Sequence, residues 1–210
     1  GLRRAALGIL RIIIEGDLAV DLEQLITLSA NTFTKNFVSQ KTQSEVLVFI
    51  MTRLKAWYQE QSITPQVFAA VEACGISEPL DFHQRIMAVQ QFQALPDASA
   101  LCAANKRVSK LLQKQQHSET TFVMTEQLFD SDAEKVLAER IQRYQSELIS
   151  DQTRQYDEVL VSLAELKQPI DDFFDQTMVM DEDEDKRANR LAMLASVRSL
   201  FMQVADISLL

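Results

Sequence analysis

The chain has 210 residues, 30 of them acidic and 21 basic, for a net charge of −9. Four Gly and four Pro are too few for a β-sandwich or a doubly wound α/β fold, and 47% apolar content excludes disorder. No apolar run approaches the ~18 residues of a membrane span, and two cysteines, Cys74 and Cys102, fit neither a disulfide framework nor a zinc site, so a reducing compartment is expected.

The chain opens on Gly1, within what reads as a helix and with no signal-peptide pattern, so a piece of a longer protein is expected. Residues 2–14 carry apolar positions at 2, 6, 9, 10 and 13, a helical period ending near Gly16. A second short helix is expected over 21–31. Thr42 and Glu45 have capping-box spacing and predict a helix to about Gln61, with Val46, Ile50, Leu54 and Trp57 along its apolar stripe. Thr64-Pro65 reads as an N-cap followed by a first-turn proline, and Gly75 as a left-handed stop.

Pro79 opens a helix over about 79–93, and Leu95-Pro96-Asp97 breaks it. From Asp97 to Lys114 the period returns, with Leu101, Ala104, Val108, Leu111 and Leu112 on the apolar side. Residues 115–129 lose the period and read as a loop. Ser131 and Glu134 form a second capping box, opening a helix to about Ile149. Helices near 153–166 and 169–177 follow, the latter with Pro169 in its first turn. Five acids at 181–185 suit the positive end of a last helix over about 185–205, which buries Leu191, Leu194, Val197, Phe201 and Val204. No internal repeat interrupts this order, and the expected architecture is an all-α helical bundle.

The chemistry on offer is sparse. His83 and His117 have no metal-binding spacing, and no nucleophile or acid is placed around either. Cys74 and Cys102 sit among small apolar neighbours and read as packing residues. There is no Gly-rich phosphate loop. Asp171, Asp172 and Asp175 and the acidic tract lack the spacing of a calcium loop. No catalytic residue and no metal ligand are therefore assigned.

Charge is unevenly spread. Residues 117–186 hold 19 acids and 6 bases, whereas the rest holds 11 acids and 15 bases. Lys106, Lys110 and Lys114 recur every fourth residue, with Arg107 one step round, and this makes a cationic ridge opposite the Leu101–Val108–Leu111 stripe. Asn105, at its edge, could hydrogen-bond a base. An ordinary solvated helix face is the competing reading. Arg53 and Trp57, one helical turn apart, could stack an unpaired base, although core packing also accounts for Trp57. Arg187, Arg190 and Arg198 form a further ladder, and the acidic tract explains the first two as ion pairs.

Four segments carry a family resemblance. They are Leu2-Arg3-Arg4-Ala5-Ala6-Leu7-Gly8-Ile9-Leu10-Arg11, Ala104-Asn105-Lys106-Arg107-Val108-Ser109-Lys110-Leu111-Leu112, Pro169-Ile170-Asp171-Asp172-Phe173-Phe174-Asp175 with Met178-Val179-Met180, and Asn189-Arg190-Leu191-Ala192 through Phe201 to Leu210. In this order they resemble the C-terminal part of the bacterial-type glycyl-tRNA synthetase β subunit, across essentially the whole chain. The resemblance implies an all-α anticodon-binding domain similar to that of arginyl-tRNA synthetase over residues 21–210. Residues 1–20 would close a preceding HD-type helical domain. It further implies a cytoplasmic enzyme of α and β subunits that joins glycine to its tRNA using ATP, with the aminoacylation site on α. The chain itself would then hold no cofactor and no active site. Its partners would be glycine tRNA and the α subunit, with neither DNA nor a membrane among them. The RNA-facing residues expected from helix geometry are Asn105, Lys106, Arg107, Lys110, Lys114, Arg53 and Trp57. A protein-interaction domain for subunit assembly, using the acidic 130–185 face and Met178–Met180, is the alternative. A free-standing HD-type hydrolase is disfavoured by two isolated histidines and no His-Asp pair.

Overall fold

The computed structural model describes residues 1–33, 39–114, 124–151 and 155–210. Among these, all regular structure is helical. Two compact units are formed, residues 1–87 and 88–210.

The first unit contains helices α1 (Leu2–Glu15), α2 (Leu22–Ala30), α3 (Gln40–Glu60) and α4 (Pro65–Glu72), and α5 (Pro79–Gln93) begins in it. The long α3 is its centre, packing against α1, α2 and α4. Helix α1 buries Ala6, Leu10, Ile13 and Ile14, an i, i+4, i+7, i+8 stripe. Asp21 caps α2, one carboxylate oxygen accepting from the Gln24 amide and the other from the Ser77 hydroxyl. Thr64 and Pro65 start α4 as the sequence predicts, and Gly75 follows it with φ at +68°, a left-handed conformation suited to glycine.

Two expectations for α3 are corrected. The helix starts ahead of Thr42, because Ser39 is its N-cap and accepts from the Thr42 amide. Thr42 thus sits inside the first turn, and its apparent capping box with Glu45 does not open the helix. The apolar stripe is also turned by one residue at its end. Ile50, Leu54 and Tyr58 are buried, Trp57 is only half-buried, and Val46 is 40% exposed. The reason is aromatic packing: Tyr58 lies among Phe68, Phe82 and His83, with ring centroids 5.9–6.3 Å away. Its hydroxyl also hydrogen-bonds His83 Nδ1 at 2.9 Å, so the polar tip is satisfied inside the core.

The second unit contains α6 (Ala98–Lys114), α7 (Asp132–Ser150), α8 (Tyr156–Leu163), α9 (Lys167–Gln176) and α10 (Glu184–Met202). Short 3₁₀ turns lie at Glu126–Leu128, Ala164–Leu166 and Ile207–Leu209. Helix α10 packs on α6, α7 and α8, and α9 packs on α6 and α7. The terminal turn at Ile207–Leu209 rests on α6. The core is built from Leu101, Val108, Leu137, Ile141, Leu160, Ile170, Phe173, Leu194, Val197 and Phe201, each essentially buried. The Ser131 capping box forms completely: its hydroxyl accepts from the Glu134 amide, and Glu134 accepts from the Ser131 amide. Val204 is buried as expected but lies just past the end of α10.

Candidate nucleic-acid interface

Helix α6 contains four cations and no acid, ASALCAANKRVSKLLQK. Its buried stripe is Ala98, Leu101, Asn105 and Val108, spaced three, four and three residues apart. Lys106, Arg107, Lys110 and Lys114 therefore fall on the opposite side, and all four are exposed. Leu111, expected in the core, is half-buried.

Asn105 departs from the reading given to it above. It is 1% exposed, and its Nδ2 donates to the Leu101 carbonyl at 3.1 Å. It occupies the core stripe one turn after Leu101, so its amide is not presented to solvent. The spacing to Leu101 and Val108 already held that signal. The polarity of asparagine obscured it.

Arg107 is held by an aromatic ring and, among the described residues, by no carboxylate. Its guanidinium carbon lies 3.9 Å from the centroid of the Phe174 ring on α9. Lys106, Lys110 and Lys114 make no ion pair among the described residues, so within them the ridge is a run of positive charge with no acidic partner. Cys102 borders it, and burial pushes its thiol up to about 11, which keeps it protonated and unreactive. Between the ridge and the start of α6, Gln93, Ser99, Cys102, Ala103 and Lys106 line a cleft of about 410 Å³.

Arg53 and Trp57 lie in the first unit. The Arg53 guanidinium sits 4.8 Å from the Phe49 ring centroid, and its buried Nε has no hydrogen-bond partner among the described residues. Trp57 leans on Tyr58, with ring centroids 5.3 Å apart at a tilt of 37°. His83, hydrogen-bonded to Tyr58, has its pKa lowered by burial, with Asp17 acting against that. His117 lies outside the described residues.

The arginines of α10 are used differently. Arg190 is 4% exposed and is clasped by Glu134 at 2.9 Å, Asp181 at 2.6 Å and Asp130 at 3.2 Å, and it also donates to the Met178 carbonyl. Burial pushes the Glu134 carboxyl up, but Arg190 and the amides of Asp130 and Ser131 outweigh it and hold the group below its usual range. Next to Arg190, Asn189 accepts from the Thr125 amide and donates to the Thr125 carbonyl, fixing the chain that leads into α7. Arg198 grips Asp206 through both terminal guanidinium nitrogens, Nη1 and Nη2, and so fastens the terminal turn. Arg187 donates to the Asp181 carbonyl and pairs with Glu184. The ladder suggested by the sequence is thus a set of internal ties, Arg198 included. Acidic groups that could hold a metal do not cluster among the described residues, and no described helix is long and apolar enough to cross a membrane.

Residues 101–207, spanning α6 to the terminal turn, match the family model of the DALR anticodon binding domain. Residues 1–73 match that of the glycyl-tRNA synthetase beta subunit. Among similar proteins is a glycine–tRNA ligase beta subunit of Coxiella burnetii (strain Dugway 5J108-111), 48% identical over 211 residues. Those of Shewanella woodyi and Marinobacter nauticus are 43% and 42% identical over 210 residues. Each alignment covers 100% of this chain and 30% of the relative, so the chain spans under a third of the length of the relatives it matches. The helical fold, the cationic face of α6 and the match across α6–α10 agree: the chain belongs to the DALR anticodon-binding domain family.

Proposed function

We propose that this chain is the tRNA-binding, anticodon-reading part of a glycine–tRNA ligase, with no chemistry of its own. The observation that carries the reading is the DALR match over 101–207, a segment whose first helix bears four exposed cations and no acid. An anticodon loop presents unstacked bases and closely spaced phosphates. A small basic face therefore suffices, while acidic surface elsewhere disfavours wrong orientations. Lys106, Lys110 and Lys114 would contact phosphates, with Arg107 beside them, and Arg53 and Trp57 would add a second contact. The complete enzyme would use ATP, pair this β chain with an α subunit and act in the cytoplasm. In this reading residues 1–20 close a preceding HD-type domain and 21–210 form the anticodon-binding part.

The test is binding of glycine tRNA to the 210-residue chain, compared with the same tRNA carrying altered anticodon bases. Weaker binding of the altered tRNAs is expected. Equal binding of all of them would remove the anticodon-reading role. Trp57→Ala examines the second contact separately. If Trp57 stacks on a base, affinity falls by roughly 1–3 kcal/mol with the fold intact. If it packs on Tyr58 alone, melting temperature falls and affinity is unchanged.

A further inference from the structure

We propose that Arg107, seated on the ring of Phe174, is a stacking platform for one unpaired nucleobase. The inference rests on the RNA-binding reading above and assigns Arg107 a role beyond its charge. In the second unit Arg143, Arg187, Arg190 and Arg198 are each engaged by carboxylates. Arg107 lies in the same acid-rich unit but is engaged by an aromatic face at 3.9 Å. Its fork has no carboxylate or hydrogen-bond partner among the described residues, and the residue is exposed.

A guanidinium is planar and weakly hydrated, and it stacks on π-faces. With the Phe174 ring 3.9 Å from its carbon, the guanidinium is restrained before any ligand arrives, and the entropy lost on binding is correspondingly smaller. Because Arg107 is exposed, a second π-system arriving from solvent can reach the guanidinium. The three ridge lysines, on the same side of α6, would hold the flanking phosphates. Among the parts of an RNA, an unpaired base has the flat face that this geometry accepts, and such bases are characteristic of loops. Phe174 acts through Arg107 and is a positioning residue. Its neighbour Phe173 is fully buried, whereas Phe174 is half-buried, as a ring shared between the core and a guanidinium must be.

Arg107→Lys keeps the charge and removes the plane. It should weaken binding of glycine tRNA about tenfold, the scale of losing one stacked base. The slope of log affinity against log salt should stay unchanged, because no phosphate contact is lost. Phe174→Leu should give a smaller loss, again without a change in slope. Single abasic sites placed in turn around the anticodon loop then identify the stacked base. At one position the Arg107→Lys penalty should vanish, and at the others it should persist. Binding of Arg107→Lys within twofold of wild type would overturn the platform. So would a penalty that survives at every abasic position. Thermal unfolding of both variants shows that the fold is retained. A chain that binds tRNA without regard to its anticodon sinks the broader reading instead, since the lysine comparison needs only RNA binding.

Discussion

Helices α6 and α10 each carry a ladder of cations, and the two are put to opposite uses. On α10 every rung is tied: Arg187 to Glu184 and the Asp181 carbonyl, Arg190 to three carboxylates, Arg198 to Asp206. On α6, Lys106, Lys110 and Lys114 have no acidic partner among the described residues, and Arg107 rests on Phe174. Helical spacing alone does not separate the two cases. Compensation does. A cation whose carboxylate is supplied by the fold stabilises the fold, and an uncompensated row raises the local potential and draws in an anion.

The sharpest break between the two helices comes from Arg190→Ala. Glu134 is fully buried and would lose its principal counter-charge, Asp181 would lose its ion pair, and Asp130 would keep only Lys186. Removing one partner of a buried pair costs about 3–5 kcal/mol. Urea denaturation should show that loss, and the tRNA affinity of the protein that remains folded should not change. A fall in affinity without a loss of stability would make α10 part of the RNA surface.

The converse experiment reverses Lys106 and Lys110 to Glu together. Each phosphate contact to unpaired RNA contributes about 0.7 to the salt slope, so the slope should drop by about 1.4 and affinity should fall more than tenfold at low salt. Because both side chains are exposed, stability should stay within about 0.5 kcal/mol. Preserved affinity would dismiss the ridge. The site could not then simply shift to Arg187, Arg190 and Arg198, because their ion pairs already engage them.

Acid distinguishes the helices more gently. Asp206 is pushed up by burial, yet the hydrogen bonds from Arg198 and Ser208 hold it below the usual carboxyl range, and Glu134 is lowered likewise. A carboxyl with a depressed folded pKa contributes stability that is complete above its unfolded value, near 4, and is lost as pH falls through the folded value. Stability should therefore decline on acidification below about pH 4. Asp206→Asn should flatten that decline. The Lys106/Lys110 double reversal, at exposed positions that pair with no carboxylate among the described residues, should leave the acid limb unaltered.

Much of this contrast was legible in the sequence, and the part that was not has definite causes. The Ser131–Glu134 box and Thr64-Pro65 were readable because a cap is satisfied within four residues of chain. The Thr42–Glu45 spacing misled because Ser39, just upstream, captured the Thr42 amide first. The α6 ridge followed from periodicity, and so did the burial of Asn105 had its spacing outweighed its polarity. Phe174 under Arg107 had no local signal, since α6 and α9 meet only in the folded unit. The triple clasp of Arg190 had none either: Asp130, Glu134 and Asp181 converge from distant stretches, and only the nearest of them lay in the acidic tract expected to pair with it.

The smallest effect belongs to Arg187, which makes it the finest probe of the comparison. It stands at the beginning of α10, where its fork donates to the Asp181 carbonyl at 3.0 Å and meets Glu184 at 3.4 Å. Glu184 is largely exposed, so the ion pair itself is screened and contributes well under 1 kcal/mol. The carbonyl contact adds a modest amount, since water can replace the donor at a partly exposed site. Arg187→Ala should therefore cost less than about 1 kcal/mol in urea denaturation. Its effect on tRNA affinity should be nil, although it removes the same unit charge as Arg107→Ala, which should weaken binding. Two arginines of equal charge would then differ in RNA binding only by what the fold has set against them. Should Arg187→Ala weaken binding as much as Arg107→Ala, net charge would explain both, and the distinction between tied and untied cations would fail.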